Sequence, residues 1–209
     1  MYHLIVKSLH RNESFLSAGV ERITATLRGC GQKVGIRDLY DQQFQPVLTT
    51  DDFLLLRSGK LPVDIKKEQE LLRQADIIWF VYPVWWSGMP AILKGYIDRI
   101  FSNGFAYTMQ DYRPVGLLKD KKAILINSMG MSYEEYKEKG MFEAMRLTID
   151  EGIFGFTGME VILHKYYTSI MSADDSVKAV YLDELSILAQ SFVENEADCT
   201  GDKKDRKVA

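Results

Sequence analysis

Residues 76–90 read DIIWFVYPVWWSGMP, an apolar run followed by two prolines that enclose a pair of tryptophans. A run of this length without polar alternation is typical of a strand buried on both faces, as in the centre of a parallel sheet. We therefore predict a central strand over Asp76–Tyr82. The segment Pro83–Pro90 then forms a stiff turn at the carboxyl end of that strand, because proline fixes the backbone.

Outward from this strand, short aliphatic runs alternate with stretches of helical periodicity. The other predicted strands are Tyr2–Ser8, Lys33–Leu39, Lys121–Ser128 and Glu160–Tyr167. Helices are predicted from Ser14 to Gly29, over Ile65–Gln74, Pro90–Phe101 and Glu134–Asp150, and from Val177 to Phe192. The section Tyr40–Val63 shows no periodicity and is predicted to be irregular.

This alternation predicts an α/β fold, a flavodoxin-like three-layer sandwich. Its five-stranded parallel sheet has the order 2-1-3-4-5, with helices on both faces, because right-handed crossovers leave few other arrangements. That order places a ligand crevice at the carboxyl ends of strands one, three and four. We expect a single domain over residues 1–194 and a flexible charged tail over residues 195–209.

Bulk composition excludes several classes of protein. The net charge is −3, with acids and bases interspersed, which argues against a nucleic-acid surface. No stretch reaches the roughly 18 apolar residues that a membrane span requires. Cys30 and Cys199 match no metal or redox spacing, so we expect no metal site and a cytoplasmic location. His3 and His164 lie in or near strands, where packing is their expected role.

The loop after the first strand contains His10, Arg11 and Ser14. A serine that opens a helix is an N-cap, and the free amides behind it can hold a phosphate. His10 and Arg11 add positive charge. The alternative is that Ser14 is a structural cap only. Neither a Gly-x-Gly-x-x-Gly sequence nor a P-loop lysine is present, which argues against a dinucleotide-binding Rossmann domain and an NTPase.

The loop after the central strand carries the adjacent Trp85 and Trp86. Two consecutive indoles cannot both point into a core, so we expect them to contact a flat aromatic ligand. Packing against a dimer partner or against their own loop is the alternative. After the fourth strand, Gly130 allows close approach to a ring, and Ser128 and Tyr136 offer hydroxyl groups to its polar edge.

The segment YPVWWSGMPAILKGY at 82–96, continued by IDRIF at 97–101 and FAY at 105–107, resembles the NAD(P)H:quinone oxidoreductase family. This family includes mammalian quinone reductases, bacterial modulator-of-drug-activity-type reductases and the flavoprotein ancillary subunits of potassium efflux systems. The similarity runs from about residue 3 to residue 190.

The resemblance implies a homodimer that binds FMN or FAD, with NAD(P)H and a quinone-like acceptor taking turns over the flavin in a ping-pong cycle. Backbone amides of Trp85 and Trp86 are expected to meet the polar edge of the flavin ring, and Tyr136 is the candidate proton donor or, alternatively, a residue that only caps the pocket. The implied flavin contacts are His10, Ser14, Phe15, Pro83, Val84, Trp85, Trp86, Ser128, Gly130 and Tyr136.

The sequence departs from the family pattern at three positions. Phe142 stands where mammalian members have a histidine proposed to relay a proton, so a Tyr–His relay is not expected. Met131 replaces a second glycine, and Leu16 stands where asparagine is common, in a first loop that is one residue short. The short loop is less suited to a pyrophosphate, which favours FMN over FAD.

Other functions remain open at this point. The same segment resembles the ancillary subunits of potassium efflux systems, so a flavin-bearing regulatory subunit is the alternative to an enzyme. A one-electron carrier of the flavodoxin type is less consistent with the net charge of −3, since such carriers are strongly acidic. A cofactor-free domain leaves the paired tryptophans without a role.

Overall fold

The computed structural model describes the backbone of residues 1–201 and the side chains of residues 1–193. The strands in this range are β1 (Tyr2–Lys7), β2 (Lys33–Asp38), β3 (Ile77–Pro83), β4 (Tyr107–Gln110), β5 (Arg113–Gly116), β6 (Lys122–Ser128) and β7 (Glu160–Tyr167). The helices are α1 (Phe15–Gly29), α2 (Thr50–Arg57), α3 (Val63–Gln74), α4 (Ala91–Ile100), α5 (Tyr133–Glu138), α6 (Met141–Met145), a π-helix (Arg146–Gly155) and α7 (Asp175–Gly201).

The main sheet is parallel throughout, in the order β2-β1-β3-β6-β7. Because β6 and β7 are its fourth and fifth strands, the predicted order 2-1-3-4-5 is confirmed. The sheet is covered on both faces, so the predicted three-layer α/β sandwich is confirmed as well. Strands β4 and β5 form a separate antiparallel pair.

Strand β3 contributes to both hydrophobic cores because successive side chains of a strand point to opposite faces. Trp79 packs in the core formed with α1 and α7. Its neighbour Phe80 packs in the other core, with α3, α4 and the π-helix. Both are fully buried. With the two faces covered, a ligand can reach the strands only at an end of the sheet.

The section Tyr40–Val63, predicted to be irregular, contains helix α2. The prediction is wrong for Thr50–Arg57 because this helix has no buried apolar face: Phe53 and Leu54 are about half exposed, at 52% and 58%. Its amino terminus is fixed by a capping box between Thr49 and Asp52. That pair was the local signal for the helix.

Asp52 also anchors α2 to the body of the protein. Its carboxylate accepts two hydrogen bonds from Arg99 of α4, at 3.0 Å each, and both residues are buried. The same guanidinium donates to the carbonyl of Gln45 at 3.0 Å and to Asp64 at 2.5 Å. The hydrogen bond from Arg99 lowers the pKa of Asp52. One cation thus holds three points of the segment from Gln45 to Asp64.

The helix predicted over Glu134–Asp150 is interrupted. Gly140 has a φ of +66°, a left-handed conformation that ends α5 and that glycine adopts without steric cost. The chain continues as α6 and then as the π-helix. The prediction of one continuous helix is therefore wrong. A π-helix is rare and often lies near a functional site.

Two further differences lie in the second half of the chain. The β4–β5 hairpin was not predicted, since its turn residues Asp111 and Tyr112 adopt φ values of +49° and +61° without a glycine to indicate them. Helix α7 extends to Gly201, into the segment expected to be a tail; residues 202–209 lie outside those described, and the division at residue 194 stays a prediction. Among the helices of residues 1–201, none has the length and hydropathy needed to cross a membrane.

We predict that Gly95→Ala destabilises the protein. A Cβ at this position of α4 would clash with the carbonyl oxygen of Pro46, which belongs to the segment held by Arg99. Overpacking of this kind costs about 1–3 kcal/mol, measurable by urea unfolding. The control is Gly29→Ala in α1, where a Cβ meets nothing within 4 Å, and where the substitution should stabilise by up to about 1 kcal/mol. Equal effects at the two positions would contradict the prediction.

Candidate functional site

A cavity of about 450 Å³ opens at the carboxyl ends of β1, β3 and β6, where the strand order places a crevice. This volume lies within the roughly 300–1,000 Å³ that is usual for small-molecule sites. The predicted site residues that line it are His10, Ser14, Phe15, Pro83, Val84, Trp85, Ser128 and Gly130. Two predicted residues, Trp86 and Tyr136, are not among the lining residues.

The amino terminus of α1 forms one wall. Ser14 has an extended backbone and its hydroxyl accepts from the amide of Ser17 at 3.2 Å, so it is the N-cap that the sequence predicts. The Ser17 hydroxyl donates to the carbonyl of Arg11 at 3.0 Å, which fixes the loop before the helix. The amides of Phe15 and Leu16 have no partner within the helix because of their position in its first turn. They are donors at the edge of the cavity.

A tight turn forms the second wall. Trp85 and Gly88 exchange two backbone hydrogen bonds of 3.0 Å, and the residues between them, Trp86 and Ser87, have φ values of +51° and +57°. These values match a two-residue hairpin turn with both central residues left-handed. Such a conformation is uncommon for a bulky side chain and raises the energy of the turn.

The turn separates the two indoles. Trp85 is 40% exposed, and its ring centroid lies 5.2 Å from that of His10, which also lines the cavity. Trp86 is fully exposed, at 101%, on the outside of the turn. The expectation that both tryptophan amides are free to meet a ligand is therefore wrong for Trp85, whose amide already donates to Gly88. Neither indole is packed inside the protein.

The third wall is tied to the second. The amide of Val84 donates to the carbonyl of Ser128 at 2.8 Å, and the amide of Met129 donates to Tyr167 at 2.9 Å. At Gly130 a Cβ would contact only the side chain of Met171, at 3.6 Å. The backbone of this loop therefore borders the cavity directly. The polar side chain that the loop contributes to the cavity wall is the hydroxyl of Ser128.

Tyr136 lies on α5, beside the cavity rather than in its wall. Its hydroxyl is 3.3 Å from that of Ser87, at the tip of the tryptophan turn. Its ring packs 5.5 Å from Phe142, centroid to centroid. Phe142 thus presents an apolar ring to Tyr136, and such a ring cannot relay a proton.

The remaining wall was not predicted. The loop between β7 and α7 contributes Ile170 and Met171, and the first turn of α7 contributes Lys178. Two backbone hydrogen bonds tie this loop to the loop after β6. The amide of Ser169 donates to the carbonyl of Met131 at 2.9 Å, and the amide of Ile170 donates to the carbonyl of Met129 at 3.1 Å. These residues carry no recognisable local pattern, since only the tertiary fold brings the start of α7 to the cavity.

The lining residues include Arg11 and Lys178 but no aspartate or glutamate. Lys178 makes a loose ion pair with Asp175 at 3.7 Å, and its charge also lowers the pKa of Asp174. Two cations and a helix amino terminus with free amides form a typical anion site. The other walls combine apolar side chains with the Trp85 ring. This donor set fits a ligand with a phosphate at one end and a flat, partly polar ring at the other.

Comparison with known proteins gives consistent results. A family model described as "Flavodoxin-like fold" matches residues 1–186. A Haemophilus influenzae protein named "Uncharacterized NAD(P)H oxidoreductase" is 36% identical over 185 residues, which are 88% of this chain and 91% of that protein. NAD(P)H dehydrogenase (quinone) 1 of Cavia porcellus is 31% identical over 76% of this chain, and the match spans 65% of that relative's length. The solved NAD(P)H:quinone oxidoreductase of Methanothermobacter marburgensis superposes with a TM-score of 0.81 at 29% identity, covering 92% of this chain and 96% of that one.

Proposed function

The chain belongs to the family with the flavodoxin-like fold, and from this premise we propose that it is a flavin-dependent NAD(P)H oxidoreductase. It reduces quinones or similar electron acceptors by two-electron hydride transfer. The oxidoreductase and quinone-reductase names of the relatives support the reaction class. They favour the enzyme over the alternative of a regulatory subunit of a potassium efflux system.

One observation carries the proposal: the cavity at the strand ends joins an anion site to an aromatic wall. The phosphate of FMN is assigned to the amides of Phe15 and Leu16 at the start of α1. Arg11 and Lys178 supply the opposing charge. Each contact of an anion with a helix amino terminus contributes about 0.3–1 kcal/mol, and up to about 2 kcal/mol when partly buried. FMN is favoured over FAD because the loop before α1 is short.

The flavin ring is assigned to the space between Trp85 and the Ser128–Gly130 loop. Pro83 and Val84 form its base, and His10 closes the side next to Trp85. A bound flavin supplies the hydride chemistry, between NAD(P)H as donor and the quinone as acceptor. The chain's own residues bind and orient: Ser128 offers a hydroxyl to the polar edge, and Gly130 allows close backbone approach.

Tyr136 is retained as the candidate proton donor, although it stands outside the cavity wall. Its support is the hydroxyl contact with Ser87, which places a neutral donor beside the tryptophan turn. A role in closing the cavity entrance accounts for the same contact. Substitution by phenylalanine separates the two: loss of a proton donor lowers kcat, whereas loss of a cap raises KM.

The proposal includes a homodimer. Leu147 of the π-helix and Phe156, the residue that follows this helix, are exposed at 52% and 43%. Exposed apolar side chains of this size are typical of an interface between subunits when they form one patch. We also propose a cytoplasmic location, supported by the exposed free thiol of Cys30, which suits a reducing compartment.

Steady-state kinetics of the purified protein with FMN test the function. We expect NADH or NADPH to be oxidised only when both FMN and a benzoquinone are present. Because donor and acceptor share one site, double-reciprocal plots at several quinone concentrations should be parallel. Intersecting lines would contradict a cycle in which donor and acceptor use the same site in turn. If the protein binds neither FMN nor FAD, the proposal that it is a flavoenzyme is wrong.

A further inference from the structure

Three polar side chains form a chain of hydrogen bonds next to the cavity but outside its wall. Asn127 is at the end of β6, His164 is on β7, and Asp150 is in the π-helix. Nε2 of His164 lies 2.5 Å from Oδ1 of Asn127, and Nδ1 lies 2.7 Å from Oδ1 of Asp150. Asn127 is fully buried, and the side chains of His164 and Asp150 are 7% and 13% exposed. The expected packing role of His164 does not account for these contacts.

The hydrogen-bond directions determine the charge of this group. The side-chain amide nitrogen of Asn127 donates to the carbonyl of Tyr82 at 3.3 Å, which leaves Oδ1 facing His164. An amide oxygen only accepts, so Nε2 must carry a proton. A carboxylate oxygen also only accepts, so a proton lies between Nδ1 and Asp150. With a proton at each ring nitrogen in these two contacts, His164 is an imidazolium.

Apart from Asp150, the ionisable groups near His164 are two tyrosines, Tyr166 and Tyr82. The Tyr166 ring stacks on the imidazole with centroids 4.2 Å apart, and its hydroxyl oxygen lies 3.0 Å from Nδ1. Burial, with the nearby Asp150 charge, raises the pKa of both Tyr166 and Tyr82 above the ordinary value, so both hydroxyls keep their protons. The ionisable groups around the His164 ring are thus the Asp150 carboxylate, which is an anion, and the neutral phenols of Tyr166 and Tyr82.

The position of Asn127 gives the network a mechanical role. Tyr82 pairs with Asn127, and Pro83 with Ser128, in the register of β3 and β6. The Asn127 side chain joins the two strands at this point through the carbonyl of Tyr82. The next bond, from Val84 to Ser128, already borders the cavity.

We infer that His164 is a positioning residue: as an imidazolium held between Asp150 and Asn127, it fixes the carboxyl ends of β3 and β6. Pro83, Val84 and Ser128 in the cavity wall are thereby held in place. The effect on FMN rests on the proposed function, whereas the charge state and the rigidity of the strand ends do not. Through Asp150 the network also connects the π-helix to these strand ends.

The charge state is tested by ¹⁵N NMR of the histidine rings at neutral pH. We expect both ring nitrogens of His164 to be protonated, assigned by loss of the signals in His164→Gln. In Asp150→Asn the counter-charge is gone while a hydrogen-bond acceptor remains, so the ring should show one protonated nitrogen. A wild-type His164 with an unprotonated nitrogen would overturn the inference.

The positioning role is tested by amide hydrogen exchange at Val84 and by FMN titration. His164→Phe keeps a ring but removes both donors, so exchange at Val84 should accelerate about tenfold and FMN should bind about tenfold more weakly. His164→Gln retains one donor to Asn127 and should recover part of both effects. Tyr166→Phe is the control, because its hydroxyl supports neither of the two principal bonds, and it should match the wild type.

These readouts separate the inference from the proposed function. If the wild-type protein takes up no flavin, the function fails, but exchange at Val84 and the nitrogen signals still decide the role of His164. If the protein binds FMN and His164→Phe exchanges Val84 at the wild-type rate, the positioning role fails while the function stands. Circular dichroism of His164→Phe verifies the fold, and the wild-type NMR result decides the charge state even if that variant does not fold.

Discussion

Ser14→Asp is expected to abolish most of the affinity for FMN while leaving the protein folded. Aspartate is as good an N-cap as serine, and its charge interacts favourably with the helix amino terminus. It would, however, stand beside the phosphate assigned to the same helix end. Two like charges about 4 Å apart repel by about 4 kcal/mol at an effective dielectric constant of 20, which corresponds to a loss of at least about a hundredfold in affinity. Fluorescence titration measures it.

Two controls make this result specific to the phosphate. Ser14→Asn is a neutral cap of similar size and should lose no more than about threefold. Riboflavin has the same ring as FMN without the phosphate, so it should bind to Ser14→Asp and to the wild type about equally well. If Ser14→Asp binds FMN as the wild type does, the phosphate is not at the start of α1.

Arg99→Leu is expected to cost about 3–5 kcal/mol in the free energy of unfolding. The reason is that the variant leaves Asp52 buried without the guanidinium that donates two hydrogen bonds to it. Urea unfolding at pH 7 measures the loss. The control is Arg146→Leu: Arg146 binds Glu143 and Glu151 but its side chain is 45% exposed, so its loss should cost far less than the loss of Arg99. Similar costs at the two sites would contradict the buried network.

The difference in the free energy of unfolding between wild type and Arg99→Leu depends on pH because the pKa of Asp52 is lowered in the folded protein. The pKa of Asp52 is lowered in the folded protein by the hydrogen bond from Arg99. Its contribution is therefore fully present above the unfolded pKa, near 4, and is lost as the pH falls through the lower folded value. The stabilities of wild type and Arg99→Leu should converge below about pH 4. A difference that widens on acidification would exclude this origin.

The sequence predicts the fold well where one segment decides it by itself. The apolar run of β3 indicates a central parallel strand without help from the rest of the chain, and the strand order follows from connection rules. The same rules bring the loops with Ser14, Trp85 and Gly130 to one end of the sheet. Predicted site residues therefore meet in one cavity although they are far apart in sequence.

What the sequence does not predict depends on tertiary contacts. Helix α2 is held by Asp52 and Arg99 rather than by an apolar stripe, so periodicity gives no sign of it. Lys178 reaches the cavity only because α7 packs beside α1. The network of Asp150, His164 and Asn127 assembles from three separate elements, and no spacing in the chain indicates that they meet.

The separation of the tryptophans gives the protein three distinct optical probes. The chain has three of these residues: Trp79 is fully buried, Trp85 is 40% exposed at the cavity, and Trp86 is fully exposed. Emission from Trp79 reports unfolding, quenching of Trp85 reports occupancy of the cavity, and a blue shift of Trp86 reports burial of the turn by another molecule. Single-tryptophan variants therefore allow each event to be followed by fluorescence without an added label.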